Sequence, residues 1–175
     1  MFKKILGIAP KLESDGSYSP SKLALKLAVP AKTDYTKFSY EKYQGSKNKV
    51  LVVFTEQKDM TMKNGKKFST GNHPVEAILP MLHLKEAGFE FNIVTPTGAP
   101  VIFEMWAMPN EDQEVMNFYN EYKSKFQNPG NLKDFIENSL DKDKEYAAVF
   151  VPGGHGAMLG IPEDRNVGKT LHWAH

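Results

Sequence analysis

The sequence predicts an α/β fold with a flavodoxin-like, doubly wound parallel sheet. Two unbroken apolar runs, residues 50–54 and 147–151, are typical of strands that are buried on both faces. The second run ends at Pro152 and is followed by a loop with three glycines within four residues. Ligands of open α/β sheets bind just past the carboxyl ends of strands, so this loop is the first place to look for function.

Size and composition indicate one domain, or one domain with an extension. The chain has 175 residues, of which 41% are apolar and 25% are charged. A net charge of +1 gives no argument for nucleic acid or membrane as a partner. The chain has no cysteine, which excludes disulfides, cysteine zinc sites and thiol catalysis within these residues.

Residues 1–48 differ in composition from the rest, being rich in lysine, serine and tyrosine and carrying three spaced prolines. Only residues 23–29 indicate local order, so we expect an N-terminal extension over residues 1–48 that covers the core, which starts at residue 49. The first residues resemble a secretory signal, but their apolar stretch is too short. No run approaches the ~18 apolar residues of a membrane span, and we expect a cytoplasmic protein without a membrane partner.

After the first core strand, the sequence predicts a well-capped helix. Asn72 or His73 can cap it, Pro74 suits its first position, and Glu76 falls in the first turn, where the helix dipole favours an anion. Pro80 is expected to kink the helix and Gly88 to end it. Apolar residues recur at helical spacing within it: Val75, Ile78, Leu79 and Leu82.

After this helix, strands and helices continue to alternate along the chain. Residues 91–95 predict the next strand, residues 111–128 a long helix, and Leu132, Phe135 and Ile136 a short one. After the strand at residues 147–151, a last helix is predicted to open at Pro162, with Val167, Leu171 and Ala174 on one face.

In a flavodoxin-like sheet, the first three parallel strands take the order 2-1-3. When only these three are present, the third strand lies at an edge. Its apolar sequence is nevertheless that of a central strand, and a flat apolar edge is a pairing hazard. From this we expect that further structure, absent from this chain, follows His175.

The glycine loop is open to three interpretations. Gly154, Gly156 and Gly160 form a loosened dinucleotide fingerprint, but the spacing and the position after the third strand are wrong for one. The amides of Gly153 and Gly154 can hold an oxyanion beside a nucleophile located elsewhere. The loop can also be only a tight turn from strand to helix.

Other polar and aromatic residues can likewise be interpreted as structural rather than functional. Glu76 is either a proton partner for a nucleophile or a capping-box glutamate. His73 and His83 are ten residues apart, which does not suit a shared metal site, and surface or capping roles are expected for them. Trp106 is expected in the core. Tyrosines among the N-terminal lysines suit a packed extension better than a single-stranded nucleic-acid site: Tyr18, Tyr35, Tyr40 and Tyr43.

Four segments, residues 66–76, 83–91, 106–109 and 146–156, resemble one family. It is the bacterial heat-shock holding chaperone family of the ThiJ/PfpI superfamily, also described as glyoxalase III and as protein/nucleic acid deglycase of the HchA type. The similarity runs from about Tyr18 to the last residue, and residues 68–76 are its most specific block.

The resemblance implies a site whose parts are only partly present. The family uses a cysteine on a strand-to-helix elbow, which would begin one strand after His175. Glu76 matches the glutamate that hydrogen-bonds this cysteine, and Gly153, Gly154 and His155 match the loop that faces it. Some members also hold a metal, but of the corresponding Lys85, Glu90 and Tyr122 only the glutamate matches, so we expect no metal.

The function implied by the resemblance is cofactor-independent chemistry on methylglyoxal or on its protein and nucleic-acid adducts. A thiolate would attack the carbonyl, and the glycine amides would hold the oxyanion. Family members are expected to be homodimers. Since this chain lacks the cysteine, we expect it to be inactive without the missing C-terminal half. The alternatives are a holding chaperone that binds unfolded protein, and an inactive fragment.

Overall fold

A computed structural model describes residues 6–139 and 145–175, which form two four-stranded sheets and five helices. The strands are β1 (Lys11–Leu12), β2 (Tyr18–Ser19), β3 (Lys49–Val53), β4 (Asp59–Thr61), β5 (Lys67–Ser69), β6 (Glu90–Thr95), β7 (Gly130–Asn131) and β8 (Tyr146–Phe150). The helices are α1 (Lys22–Ala28), α2 (Pro74–Glu86), α3 (Gln113–Gln127), α4 (Leu132–Asn138) and α5 (Arg165–Ala174).

The main sheet is parallel and has the order β7-β6-β3-β8. Its three long strands, β6, β3 and β8, therefore take the 2-1-3 order that the sequence predicts. Strand β3 lies in the middle and pairs with β6 from Lys49 opposite Glu90 to Val53 opposite Val94. The flavodoxin-like fold class is confirmed. The short strand β7 adds an unpredicted fourth member beside β6.

Helices cover both faces of this sheet because β3 alternates its side chains between two apolar clusters. Val50 and Val52 pack with residues of α2 and α3, including Ile78 and Phe118. Leu51 and Val53 point to the opposite face and pack with residues of α4 and α5: Leu132, Phe135 and Val167. Both faces of β3 are buried, which explains the unbroken apolar run in this strand.

Helix α2 begins and ends as its sequence predicts. His73 is the N-cap, its Nδ1 accepting from the Glu76 N–H at 3.5 Å, and Pro74 occupies the first turn. Pro80 lies inside a helix that continues without interruption to Glu86. Gly88, at φ +93°, supplies the left-handed conformation that follows the helix end.

The N-terminal segment packs on the core through a second sheet and through several side chains. The mixed sheet β1-β2-β5-β4 joins it to residues 59–69. Thr33 donates through its N–H and its hydroxyl to Asp112 at 3.1 and 2.5 Å. The Tyr40 hydroxyl lies 2.8 Å from His83 Nδ1, and the Tyr43 ring stacks on Phe89 at 5.1 Å. These contacts agree with packed tyrosines. The signal-like first five residues lie outside the described residues.

Two predicted burial patterns are wrong. Residues Ala147 and Ala148 of β8 are exposed, because this strand pairs only with β3 in the described structure, and nothing there covers its other edge. In the last helix, Val167 and Thr170 are buried, whereas Leu171 is 48% exposed. That helix also starts later than predicted, at Arg165, with Asp164 as its cap.

Among the described residues, no helix has both the length and the apolar character needed to cross a membrane.

Candidate functional site

Two loops meet at the carboxyl edge of the main sheet. One precedes α2 and contains Gly71, Asn72 and His73, and the other follows β8 and contains Gly153 and Gly154. This edge is the ligand-binding side of open parallel sheets. The two loops therefore lie at one place in the fold.

Backbone hydrogen bonds lock the two loops together. The His73 N–H donates to the Gly153 carbonyl, and the Gly156 N–H donates to the Gly71 carbonyl, both at 2.9 Å. A Cβ on Gly154 would collide with His73 N and lie 2.6 Å from the Gly71 oxygen, and φ is +123° at this residue. Glycine is needed here because the backbones approach too closely for any side chain.

Asn72 fixes the first loop from inside the protein. Its side chain accepts from the Thr55 N–H at 3.1 Å and donates to the carbonyls of Thr55 and Ile102 at 2.9 and 2.7 Å. The residue is 0% exposed. A buried amide with all three bonds made ties the end of β3 to the start of α2 and holds the site rigid.

Glu76 turns its carboxylate toward the second loop. A Cβ on Gly153 would overlap Glu76 Oε2 and lie 3.1 Å from Glu76 Cδ, so the carboxylate is packed against the Gly153 backbone. The side chain is 58% exposed, which leaves one side open to solvent. The capping-box alternative fails geometrically, because the His73 N–H that Glu76 would accept from is bonded to Gly153 instead.

The amides of Gly153 and Gly154 are available to a ligand. Within residues 6–139 and 145–175, neither N–H has a hydrogen-bond acceptor. Adjacent backbone N–H groups with no partner can bind a developing oxyanion. The neighbouring Glu76 carboxylate can accept a proton and return it. The tight-turn interpretation accounts for the glycine at 154 but not for these free donors.

His155 lies on the same loop and contacts the buried carboxylate of Glu104. The His155 backbone N–H donates to Glu104 Oε1 at 3.1 Å, and the ring Nδ1 lies 2.8 Å from the same oxygen. The Thr70 hydroxyl also donates to it, at 3.1 Å. Phe68 and Trp106 pack on the imidazole with centroid distances of 5.6 and 6.2 Å.

Glu104 was not predicted from the sequence. It is 0% exposed, although it is a carboxylate between Phe103 and Met105. That placement, one acid in an otherwise apolar stretch, is a signal that could have pointed to it, since buried acids are rare unless they are paired. The same stretch contains Trp106, which is only partly buried and donates to the Ser69 carbonyl at 3.1 Å.

The residues at the expected metal positions form a different arrangement. Lys85 Nζ lies 2.5 and 2.6 Å from the two carboxylate oxygens of Glu121, and 5.7 Å from the centre of the Tyr122 ring. Burial raises the pKa of the Tyr122 phenol, and the charges of Glu121 and Glu90 add to the effect. Across the described ranges, no cluster of three histidine or acidic side chains could hold a metal ion.

A cavity of about 430 Å³ lies beside His73. Its lining includes residues of the N-terminal segment between Ala28 and Asp34, together with Val75 and Ala107. Glu76 does not line the cavity, but its carboxylate lies 4.0 Å from Nδ1 of His73, which does. A substrate group at Glu76 could extend into it.

Comparison with known proteins identifies the relatives of this chain. No protein-family model matches it. The curated protein/nucleic acid deglycase HchA of Escherichia coli strain K12 is 44% identical over 163 residues, which is 93% of this chain and 57% of that protein. HchA of Shigella boydii matches equally. The chain thus spans a little over half the length of the curated relatives it matches.

Solved structures support the same fold. Rapid Encystment Protein 24 kDa of Francisella tularensis has a TM-score of 0.58 and 24% identity, over 71% of this chain and 52% of that one. Glyoxalase III of Candida albicans has a TM-score of 0.55 and 23% identity, over 74% of this chain and 53% of that one. The identity of 44% to the curated relatives confirms the resemblance stated above: over the matched residues, the chain is a homologue of the HchA-type deglycases of the ThiJ/PfpI superfamily.

Proposed function

We propose that this chain forms the oxyanion-binding part of a cofactor-independent deglycase or glyoxalase III. Its substrates are small dicarbonyls such as methylglyoxal, or their adducts on protein and nucleic acid. The observation that carries the proposal is the contact of the Glu76 carboxylate with Gly153, beside two backbone N–H groups that have no partner. The 44% identity to curated deglycases supports it.

Each residue of the site has a role in this proposal. When a nucleophile adds to a carbonyl, its oxygen becomes negative, and the N–H groups of Gly153 and Gly154 hold it. Glu76 takes the proton of the nucleophile and so keeps it in its reactive form. The cavity beside His73 receives the rest of the substrate.

The nucleophile has to come from another polypeptide segment. The resemblance implies a cysteine, and these 175 residues contain none. The Thr70 hydroxyl donates to the Glu104 carboxylate, but Thr70 is only 1% exposed, so a substrate cannot reach it. We therefore propose that the chain alone does not turn over methylglyoxal.

Complementation in trans tests this proposal. The chain is co-expressed with the part of E. coli HchA that follows the matched segment, and loss of methylglyoxal is measured. The chain alone is expected to give no turnover above buffer, and the pair to give turnover that Glu76→Gln lowers by about 100-fold, the typical loss of a general base. Glu137→Gln is the matched control, since this glutamate is 59% exposed on α4.

Two results would contradict the proposal. One is turnover by the chain alone that Glu76→Gln abolishes, which would mean that the nucleophile lies within these residues. The other is a pair that is active and equally so with Glu76→Gln and Glu137→Gln, which would remove Glu76 from the chemistry.

A second candidate function, a holding chaperone, is favoured by exposed apolar side chains in the N-terminal segment. Leu12, Leu23 and Leu27 are 60%, 43% and 79% exposed. Helix α1, which carries two of them, has no buried residue. Apolar surface of this kind is a docking place for unfolded chains.

An aggregation-suppression assay separates this function from the first. Heat-denatured citrate synthase is a suitable client, with light scattering as the readout. If the chain is a holding chaperone, wild type suppresses scattering, and the double variant Leu23→Ser, Leu27→Ser suppresses it less at the same concentration. Equal scattering with and without the chain would exclude the function.

A further inference from the structure

The pair formed by Glu104 and His155 has no role in the function proposed so far. Glu104 is fully buried, and its Oε2 is the one buried side-chain oxygen or nitrogen among the described residues that has no hydrogen-bond partner. Its Oε1 is shared by Thr70 and by two groups of His155. Burying a carboxylate is costly, so an acid held in this way needs a reason beyond packing.

The hydrogen bonds determine where the proton of His155 lies. The backbone N–H of His155 can only donate, so Glu104 Oε1 accepts from it. The ring Nδ1 is 2.8 Å from the same oxygen. Because that oxygen already accepts from the backbone N–H and from the Thr70 hydroxyl, it acts as an acceptor toward the ring as well, and Nδ1 donates to it. The neutral ring therefore carries its hydrogen on Nδ1, and Nε2 keeps its lone pair.

The ring is also fixed in orientation and partly accessible. Phe68 and Trp106 pack on it, and its side chain remains 47% exposed. The next residue toward the N-terminus is Gly154, whose free N–H belongs to the proposed oxyanion site. A carboxylate that orients a histidine by its Nδ1 is the arrangement that prepares Nε2 as a general base.

We propose that Glu104 is a positioning residue that holds His155 with its proton on Nδ1, so that His155 Nε2 serves as the proton acceptor of the site. This inference rests on the proposed function, to which it adds a second proton-transfer group beside Glu76. It also restricts the substrates to carbonyl compounds whose neighbouring carbon carries both a hydrogen and a hydroxyl, as the adduct of a nucleophile with a dicarbonyl does.

The step is a balanced isomerisation. In the adduct of the nucleophile with a dicarbonyl, the carbon beside the remaining carbonyl bears a hydrogen and the new hydroxyl. Its C–H bond breaks, the proton moves to Nε2, and the electron pair becomes the double bond of an enediolate. The amides of Gly153 and Gly154 hold the enediolate oxygen. The imidazolium, paired with Glu104, then returns the proton to the neighbouring carbon, while the hydroxyl proton of the first carbon moves to the enediolate oxygen. The first carbon becomes a carbonyl and the second an alcohol, so that no oxidant or reductant takes part.

The tautomer can be measured without substrate. Long-range ¹H–¹⁵N correlation spectra of the uniformly labelled chain, recorded where its five histidines are neutral, show which ring nitrogen carries the hydrogen. His155→Gln assigns the signal. The expected pattern is Nδ1–H for His155, whereas His172, which is exposed on α5, shows the Nε2–H form usual for free imidazole. An Nε2–H pattern for His155 in the wild type would overturn the proposal.

Two variants separate positioning from packing. Glu104→Gln keeps an acceptor oxygen and is expected to keep the Nδ1–H pattern, while Glu104→Met, of similar size, is expected to lose it. A folded Glu104→Met protein with an unchanged His155 pattern would also overturn the proposal. If that variant does not fold, the wild-type spectrum decides.

Turnover gives a further readout. In the complemented pair, Glu104→Gln is expected to lower kcat by about tenfold or more with KM unchanged, because the amide cannot pair with the imidazolium. An active pair with unchanged kcat would contradict the role of His155. A pair without any turnover would count against the proposed function, and the spectra would still decide on the dyad.

Discussion

Strands β3 and β8 have similar sequences and different surroundings. Each has five residues, consists mostly of apolar residues and lies in the same parallel sheet. Val50 to Val53 are at most 1% exposed, whereas Ala147 and Ala148 are exposed. Strand β3 has a neighbour on each side, and β8 pairs in the described structure only with β3. Apolar composition therefore indicates a strand, but the neighbours of that strand decide how much of it is buried.

The loops that follow the two strands differ in the same way. The end of β3 is anchored by the buried side chain of Asn72. The loop after β8 is held by backbone bonds to Gly71 and His73, and it leaves the N–H groups of Gly153 and Gly154 free. The well-packed strand supplies stability, and the open one supplies the site.

The largest expected effect comes from matched phenylalanines at the ends of the two strands. Phe54, 0% exposed and in edge contact with Phe103 and Phe126, should cost about 3–5 kcal/mol when changed to alanine. Phe150→Ala should cost clearly less, because Phe150 is only partly buried. Urea unfolding measures both. Equal losses would show that β8 is as well covered as β3 and would remove the contrast.

A smaller effect is expected for glycines in the left-handed region. Gly154→Ala should destabilise by about 2 kcal/mol or more, since strain from positive φ adds to the collision with His73. Gly65→Ala is the control: φ is +75° and a Cβ would meet no atom within 4 Å. Thermal unfolding should therefore separate the two variants. A loss at Gly154 no larger than at Gly65 would mean that the loops are not locked together.

The N-terminal segment makes a pH-dependent contribution to the free energy of unfolding. This contribution does not depend on β3 or β8. Burial raises the pKa of Asp112, but hydrogen bonds from Thr33 and from the Val115 N–H outweigh it, so the pKa lies below the ordinary aspartate range. An acid with a lowered folded pKa stabilises the protein above its unfolded pKa, and this stability is lost as the pH falls below about 4.

Thr33→Ala should therefore destabilise by about 1 kcal/mol at pH 7, the usual value of one such bond, and by less at pH 3. Denaturant unfolding at the two pH values measures the difference. The same loss at both pH values would show that the Thr33–Asp112 bonds do not depend on the ionised carboxylate.

Local patterns were sufficient to predict the helices, the three long strands and their order. The cap at His73, Pro74 and the stop at Gly88 fix α2 through bonds within a few residues of each end. The small mixed sheet was not predicted, because β1, β2, β4 and β5 have only two or three residues each and pair across long stretches of chain. Such short strands have no periodicity to detect.

The candidate site, too, was predicted only in part from the sequence. Glu76 and the glycine loop were singled out because strand ends and helix starts mark the edge of a sheet, and the family resemblance then favoured an active-site role for Glu76. The contact between Glu76 and Gly153, and the burial of Glu104 beneath His155, depend on how two distant loops pack. No spacing in the sequence encodes those contacts, although the isolated acid beside Phe103 was a usable signal.

The central claim is that the Glu76 carboxylate and the Gly153 and Gly154 amides form one site. Amide ¹H–¹⁵N spectra, recorded as the pH is raised through the range where carboxyl groups ionise, test it most directly. The expected result is a shift of both glycine signals that is lost in Glu76→Gln and kept in Glu137→Gln. Glycine signals that do not move, or that move equally in both variants, would contradict the account.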